Sequence, residues 1–231
     1  MPELLSNPLE KTRIRSFVRR QGRITQAQQH ALETLWPNYG IETLPGIDLG
    51  TAFPRPAPLI LEIGFGNGES LAQMALAAPE KNFLGIEVHR PGVGHLLIRI
   101  EQLGLGNVRI CNADALEVME QHIAEASLSG LQLFFPDPWH KKRHNKRRLV
   151  NDKFVALTAQ KLMTGGVIHM ATDWEDYARQ MLDVLQADST LENMADNGGY
   201  SKRPDYRPLT KFERRGQLRG HGVWDILFKR L

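Results

Sequence analysis

The chain holds a single cysteine, Cys111, so it can build neither an internal disulfide nor a cysteine-rich zinc site. No stretch approaches the roughly 18 uninterrupted apolar residues that a membrane-crossing helix needs. The opening MPELLSNPLE lacks the basic and apolar regions of a secretory signal. Internal repeats and low-complexity tracts are missing too. A composition of 42% hydrophobic and 24% charged residues excludes a disordered or collagen-like chain. What remains is a folded domain of 231 residues, large enough for a full core. A reducing, cytoplasmic location without membrane contact is the expectation.

Acids are scarce in three particular places. Segments 11–23, 141–148 and 202–219 carry 19 of the 29 Lys and Arg residues and only two acids, Asp205 and Glu213. Those segments sum to +17 and the remainder to −14, although the whole chain is only +3. Segregation on that scale points to a polyanionic partner, because a basic surface gains affinity by releasing counterions from phosphates. If the three segments never converge, they are solvated surface and nothing more.

Residues 1–58 read as a basic arm, a helix and a Pro-rich connector. Thr25 and Gln28 form a capping-box-like start to a helix over 25–36 that Pro37 should stop, and Pro54, Pro56 and Pro58 suggest an extended approach to the main domain. From residue 59 onward the pattern changes. Short apolar runs at 59–63, 83–88, 108–111, 131–135 and 167–171 alternate with helical stretches at 69–78, 91–103, 114–125, 152–163 and 174–185. That alternation predicts an α/β fold with a doubly wound, mostly parallel sheet over 59–231, and 224–228 reads as a terminal strand.

The first of these strands runs into Gly64, Gly66 and Gly68 and then a helix, which allows a ligand close to the backbone. The dinucleotide fingerprint would place a third glycine at 69. Glu69 stands there instead, and Glu62 ends the strand, so two carboxylates oppose a pyrophosphate and suit a cation. S-adenosylmethionine, a sulfonium and ammonium without phosphate, meets that requirement. Glu87, 23 residues beyond Gly64, is placed to accept from ribose hydroxyls, and Asp114 to read an adenine amine or to cap the following helix.

After the fourth strand comes PDPWHKKRHNKRR at 136–148. Prolines on both sides of Asp137 fix one carboxylate, Trp139 offers an aromatic face, and the basic run follows at once. One loop therefore joins the presumed reaction centre to a polyanion contact. His140 and His144 are spaced as metal ligands on a helix would be, but the sequence offers no third ligand and the neighbouring cations oppose a metal.

These motifs resemble the bacterial tRNA (guanine-N7)-methyltransferases through nearly the whole chain. The match runs over RSFVRRQGRIT at 15–25, LEIGFGNG at 61–68, HRPGVG at 89–94, the 136–148 run, ATDW at 171–174 and TKFE at 210–213. The resemblance implies a Rossmann-like class I methyltransferase fold and transfer of a methyl group from S-adenosylmethionine to N7 of variable-loop guanosine 46 in tRNA. It further implies that Glu62, Gly64, Gly66, Gly68, Glu87, Asp114 and Asp137 hold the cofactor, with Asp137 also the candidate catalytic residue. Lys141, Asp173, Thr210, Lys211, Phe212 and Glu213 would meet the substrate. Arg143, His144, Asn145, Lys146, Arg147 and Arg148 would contact RNA. No metal and no obligate protein partner are expected, and the chain would act as a monomer or homodimer. Methylation of an exocyclic amine or of another RNA, and RNA binding without catalysis on the same scaffold, are the rival readings.

Overall fold

The computed structural model describes residues 16–17, 22–42, 49–209, 213 and 222–231. Thr25 caps the first helix reciprocally: its hydroxyl accepts the Gln28 N–H at 3.2 Å, while the Gln28 side chain accepts the Thr25 N–H at 2.9 Å. Helix α1 (Gln26–Thr34) follows directly. Pro37 does not end the segment. It sits in the first turn of α2 (Trp36–Tyr39), where a missing N–H costs nothing. The described residues of 37–58, a stretch expected as an extended connector, are packed against the domain. Ile41 donates its N–H to the Ile110 carbonyl at 2.8 Å, Phe53 is buried in the core, and Arg109 bonds the Ala52 carbonyl at 2.7 Å.

Strands and helices then alternate as β1 (Leu59–Ile63), α3 (Glu69–Ala77), β2 (Asn82–Ile86), α4 (Arg90–Leu103), β3 (Val108–Cys111), α5 (Ala115–Gln121), β4 (Leu128–Phe134), α6 (Asp152–Lys161), β5 (Leu162–Thr172), α7 (Glu175–Ala187), β6 (Leu191–Asn193) and β7 (Trp224–Arg230). They form one sheet in the order β3-β2-β1-β4-β5-β7-β6. The first five strands are parallel; β7 runs antiparallel to both β5 and β6. Side chains alternate across the sheet, so each face has its own core. Phe83, Val108 and Ile110 pack with α1, α3 and α4, whereas Leu61, Leu84, Leu131 and Ile168 pack with α5, α6 and α7. Chain order reverses between β1 and β4, and a doubly wound sheet opens its ligand crevice at such a switch point.

Two departures from the expected elements have local causes. Strand β5 begins at Leu162 because Gly165 and Gly166, expected to stop a helix, lie in a bulge: Leu128 pairs with Leu162, and two residues on Gly130 pairs with Val167. Strand β6 has only three residues, too few to show a period.

Candidate active site at the carboxyl ends of the strands

A cavity of about 500 Å³ opens beyond β1 and β4, within the size range of ligand sites. Gly64, Gly66, Glu87, Asp114 and Asp137 line it, with apolar walls from Ile86, Leu133 and Phe134. Three carboxylates therefore face this space, and no lysine or arginine is among the described residues that line it.

The glycine loop has the backbone its sequence requires. Gly64, Gly66 and Gly68 have φ of 70°, 61° and 74°, the left-handed region that other residues rarely adopt. Gly68 stands back from the cavity, at the start of α3, where a side chain would collide with Leu96 on α4. Glu87 braces the loop from the end of β2. One carboxylate oxygen accepts the Gly66 N–H at 2.8 Å, and the other accepts the N–H groups of Val88 and His89 at 2.8 and 2.9 Å. Gly92 explains one part of the HRPGVG run, because a side chain there would run into the Gly66 carbonyl.

Glu62 lies on β1, 3% exposed, and is not part of the cavity lining. Its Oε2 is buried without a hydrogen-bond partner among the described residues. Burial first, and then the nearby Glu87 carboxylate, push its pKa up to about 8. Glu69 differs, since Arg99 bonds its carboxylate at 3.3 Å. Asp114 caps α5 by accepting the Leu116 N–H at 2.9 Å and also lines the cavity, so the two readings of this residue are compatible.

The Pro-Asp-Pro segment is bent at both ends. Phe135 and Trp139 have φ of 52° and 49°, unfavourable for residues with side chains, and the surroundings hold them there. The Phe135 N–H bonds the Ala171 carbonyl at 2.7 Å, and Trp139 Nε1 donates to the Ser16 carbonyl at 3.2 Å. Ser16 and Phe17 also line the cavity, which brings part of the N-terminal basic segment to the site. The rest of 11–23, apart from Gly22 and Arg23, lies outside the described residues.

The basic run continues as a 3-10 turn (Lys142–Arg147). Lys141, Lys142, Arg143 and Lys146 are exposed. Arg147 instead lies over the Trp139 ring at 4.9 Å, and His144 meets that ring edge-on at 6.0 Å. Asn145 is half-buried with its Oδ1 unpaired among the described residues. His140 packs against Trp174 at 4.3 Å, and among the described residues no group of three His, Cys, Asp or Glu is placed around a metal. Arg148 departs from the expected RNA contact. It is 4% exposed, turned inward onto Pro138, Gln180 and Asp176.

Among the substrate candidates, Asp173 is exposed beyond the end of β5, while Thr210, Lys211 and Phe212 lie outside the described residues. Glu213 is 3% exposed, and both its carboxylate oxygens accept from Arg207 at 2.8 Å. Arg207 also bonds both oxygens of Asp225 at 2.7 and 3.0 Å. His169 bonds Asp225 through Nε2 at 2.8 Å, and the Tyr206 hydroxyl meets its Nδ1 at 2.8 Å. Burial outweighs the Asp225 contact and lowers the His169 pKa, so the ring is neutral, donating from Nε2 and accepting at Nδ1. By sequence Arg207 belongs to the basic segment 202–219. Nothing in the spacing reveals that it lies between two carboxylates.

Comparison with known proteins bears on family and fold. A family model described as "Putative methyltransferase" matches residues 56–226. The chain is 56% identical over 230 residues to a tRNA (guanine-N(7)-)-methyltransferase of Methylococcus capsulatus, covering 100% of both chains. It is 58% identical to a protein of the same description from Alkalilimnicola ehrlichii, covering 95% of this chain and 94% of the relative. Among solved structures, the 16S rRNA methyltransferase KamB superposes with a TM-score of 0.56 at 13% identity, covering 91% of this chain and 96% of that one. A precorrin-6y C5,15-methyltransferase from Geobacter metallireducens gives 0.51 at 13%, covering 93% and 95%. At such identities these two speak for the shared Rossmann-like fold alone.

Proposed function

The chain belongs to the bacterial tRNA (guanine-N7)-methyltransferase family, and from that premise we propose that it transfers the methyl group of S-adenosylmethionine to N7 of variable-loop guanosine 46 in tRNA. The observation that carries the reading is a cavity with three carboxylates and no lining lysine or arginine, joined by one loop to an exposed basic face. Such a cavity disfavours a phosphate-bearing ligand and fits a cation. The unpartnered Glu62 Oε2 adds a buried acceptor that a positively charged group would satisfy. Gly64, Gly66, Glu87 and Asp114 would hold the cofactor, which supplies an electrophilic methyl group on sulfur.

The protein's own contribution is placement. Guanine N7 carries an in-plane lone pair and no proton, so no general base is needed, and the reacting atoms must be brought into line. Asp137 would hold the base by its N–H edge and stabilise the positive charge the purine gains, from a backbone restrained by the prolines on both sides. Lys141, Lys142, Arg143 and Lys146 would engage phosphates beside the site. Asp173 and the 210–213 segment would complete the substrate contacts.

The test is nucleoside mass spectrometry of tRNA incubated with the protein and S-adenosylmethionine, followed by mapping of the modified position. The expected product is 7-methylguanosine at guanosine 46, lost when that base is replaced by adenosine. A different methylated nucleoside, or 7-methylguanosine elsewhere, overturns the assignment.

A further inference from the structure

We propose that Arg148 is a positioning residue for Asp137 and takes no part in the polyanion contact made by its neighbours in the basic run; the inference rests on the methyl-transfer reading above. Its guanidinium donates in three directions: Nε to the Pro138 carbonyl at 2.9 Å, Nη1 to Gln180 Oε1 at 2.7 Å and Nη2 to Asp176 Oδ2 at 2.7 Å. The group also lies over the Tyr177 ring at 4.8 Å. The first of these bonds joins the two ends of the loop running from 138 to 148. The other three contacts tie that closure to α7. A planar fork can make all of them together, and an ammonium cannot.

The consequence falls on Asp137. Asp137 is exposed at the cavity and its carboxylate makes no hydrogen bond among the described residues, so what the protein sets is the backbone that presents it. That backbone contains two left-handed residues with side chains, Phe135 and Trp139, and such conformations persist only while their surroundings over-determine them. Arg148 supplies the constraint on the Trp139 side, immediately after Asp137. With Asp176 against it and 4% exposure, its charge is neutralised locally and faces the protein. Six cations in sequence thus divide by direction: some face solvent, and this one holds the loop that carries the reaction.

The test compares wild type, Arg148→Lys and Asp176→Asn for methyl transfer to tRNA and for tRNA affinity across a salt series. Thermal unfolding of each confirms the fold. Arg148→Lys is expected to lower kcat by about 10- to 100-fold, the loss associated with misplacing a reacting group by an ångström, with both KM values within about twofold. Arg148→Gln, a third variant that removes the charge, should keep the wild-type slope in a plot of log affinity against log salt. Asp176→Asn removes only an exposed carboxylate, so it should fold normally and lower kcat in the same direction by about threefold. It carries the test alone if Arg148→Lys is unfolded. A slope shallower by about one in Arg148→Gln makes Arg148 a phosphate contact and overturns the proposal, as does an unchanged kcat in Arg148→Lys and Asp176→Asn where they fold. Wild-type protein that methylates tRNA at another atom overturns the assigned product while leaving this comparison readable. Wild-type protein that transfers no methyl group overturns both.

Discussion

Replacing Glu62 with glutamine should stabilise the protein in a pH-dependent way. The Glu62 pKa rises from 4.5 to about 8 on folding, so between those values the folded state holds a proton that the unfolded chain has released. Stability then falls by about 1.4 kcal/mol for each pH unit above 4.5, reaching about 3 kcal/mol at pH 7 and levelling off above pH 8. Glutamine copies the protonated carboxyl in shape and charge. Glu62→Gln should match wild type near pH 4.5 and exceed it by about 3 kcal/mol at pH 7. Urea unfolding of both proteins at pH 5 and pH 8 isolates the effect, because every other titrating group is common to the pair. Between those two conditions wild type should lose about 3 to 4 kcal/mol more than the variant. Parallel pH profiles would refute the reasoning. A second readout follows from the proposed cofactor: a cation beside Glu62 favours the carboxylate, so S-adenosylmethionine binding at pH 7 should release close to one proton. Calorimetry in two buffers of different ionisation enthalpy measures that number, and zero release would remove Glu62 from the cofactor site.

Asp137→Asn should keep tRNA and cofactor binding while kcat falls by about 100-fold or more, measured by single-turnover methylation. Changing Lys141, Lys142, Arg143 and Lys146 together to glutamine should weaken tRNA binding and reduce the salt slope by about 3, read from filter binding between 50 and 200 mM salt. Gly92→Ala should push on the Gly66 carbonyl, costing about 1–3 kcal/mol of stability by thermal unfolding and weakening S-adenosylmethionine in a calorimetric titration. Arg207→Met would leave Glu213 and Asp225 buried without their shared cation and should cost about 3–5 kcal/mol in urea unfolding.

Legibility in the sequence followed the physics of each element. Strands β1 and β3 are read to the residue because an apolar run between turn residues leaves little choice of boundary. Glycines 165 and 166 were misread because a glycine pair stops a helix and permits a bulge equally well, and only pairing with β4 decides between them. The acids at 87, 114 and 137 were legible as neighbours because strand ends in a parallel sheet share one rim. Direction was not legible. Arg147 and Arg148 are adjacent and chemically alike, yet one covers a tryptophan and the other is buried on α7. Charge counted by segment likewise assigns Arg207 to a surface, when its guanidinium is occupied by Glu213 of the same segment and by Asp225 on β7.

Strand β6 comes before β7 in the chain, yet within the sheet its neighbour is β7. A chain emerging during synthesis therefore has nowhere to place 191–193 until 224–230 has inserted beside β5. That same insertion carries Asp225 to His169 and Arg207, and through Arg207 it holds Glu213. Closing the sheet and anchoring Glu213 are one cooperative event. A chain ending before residue 224 should therefore lose the last two strands of the sheet and the Glu213 anchor together.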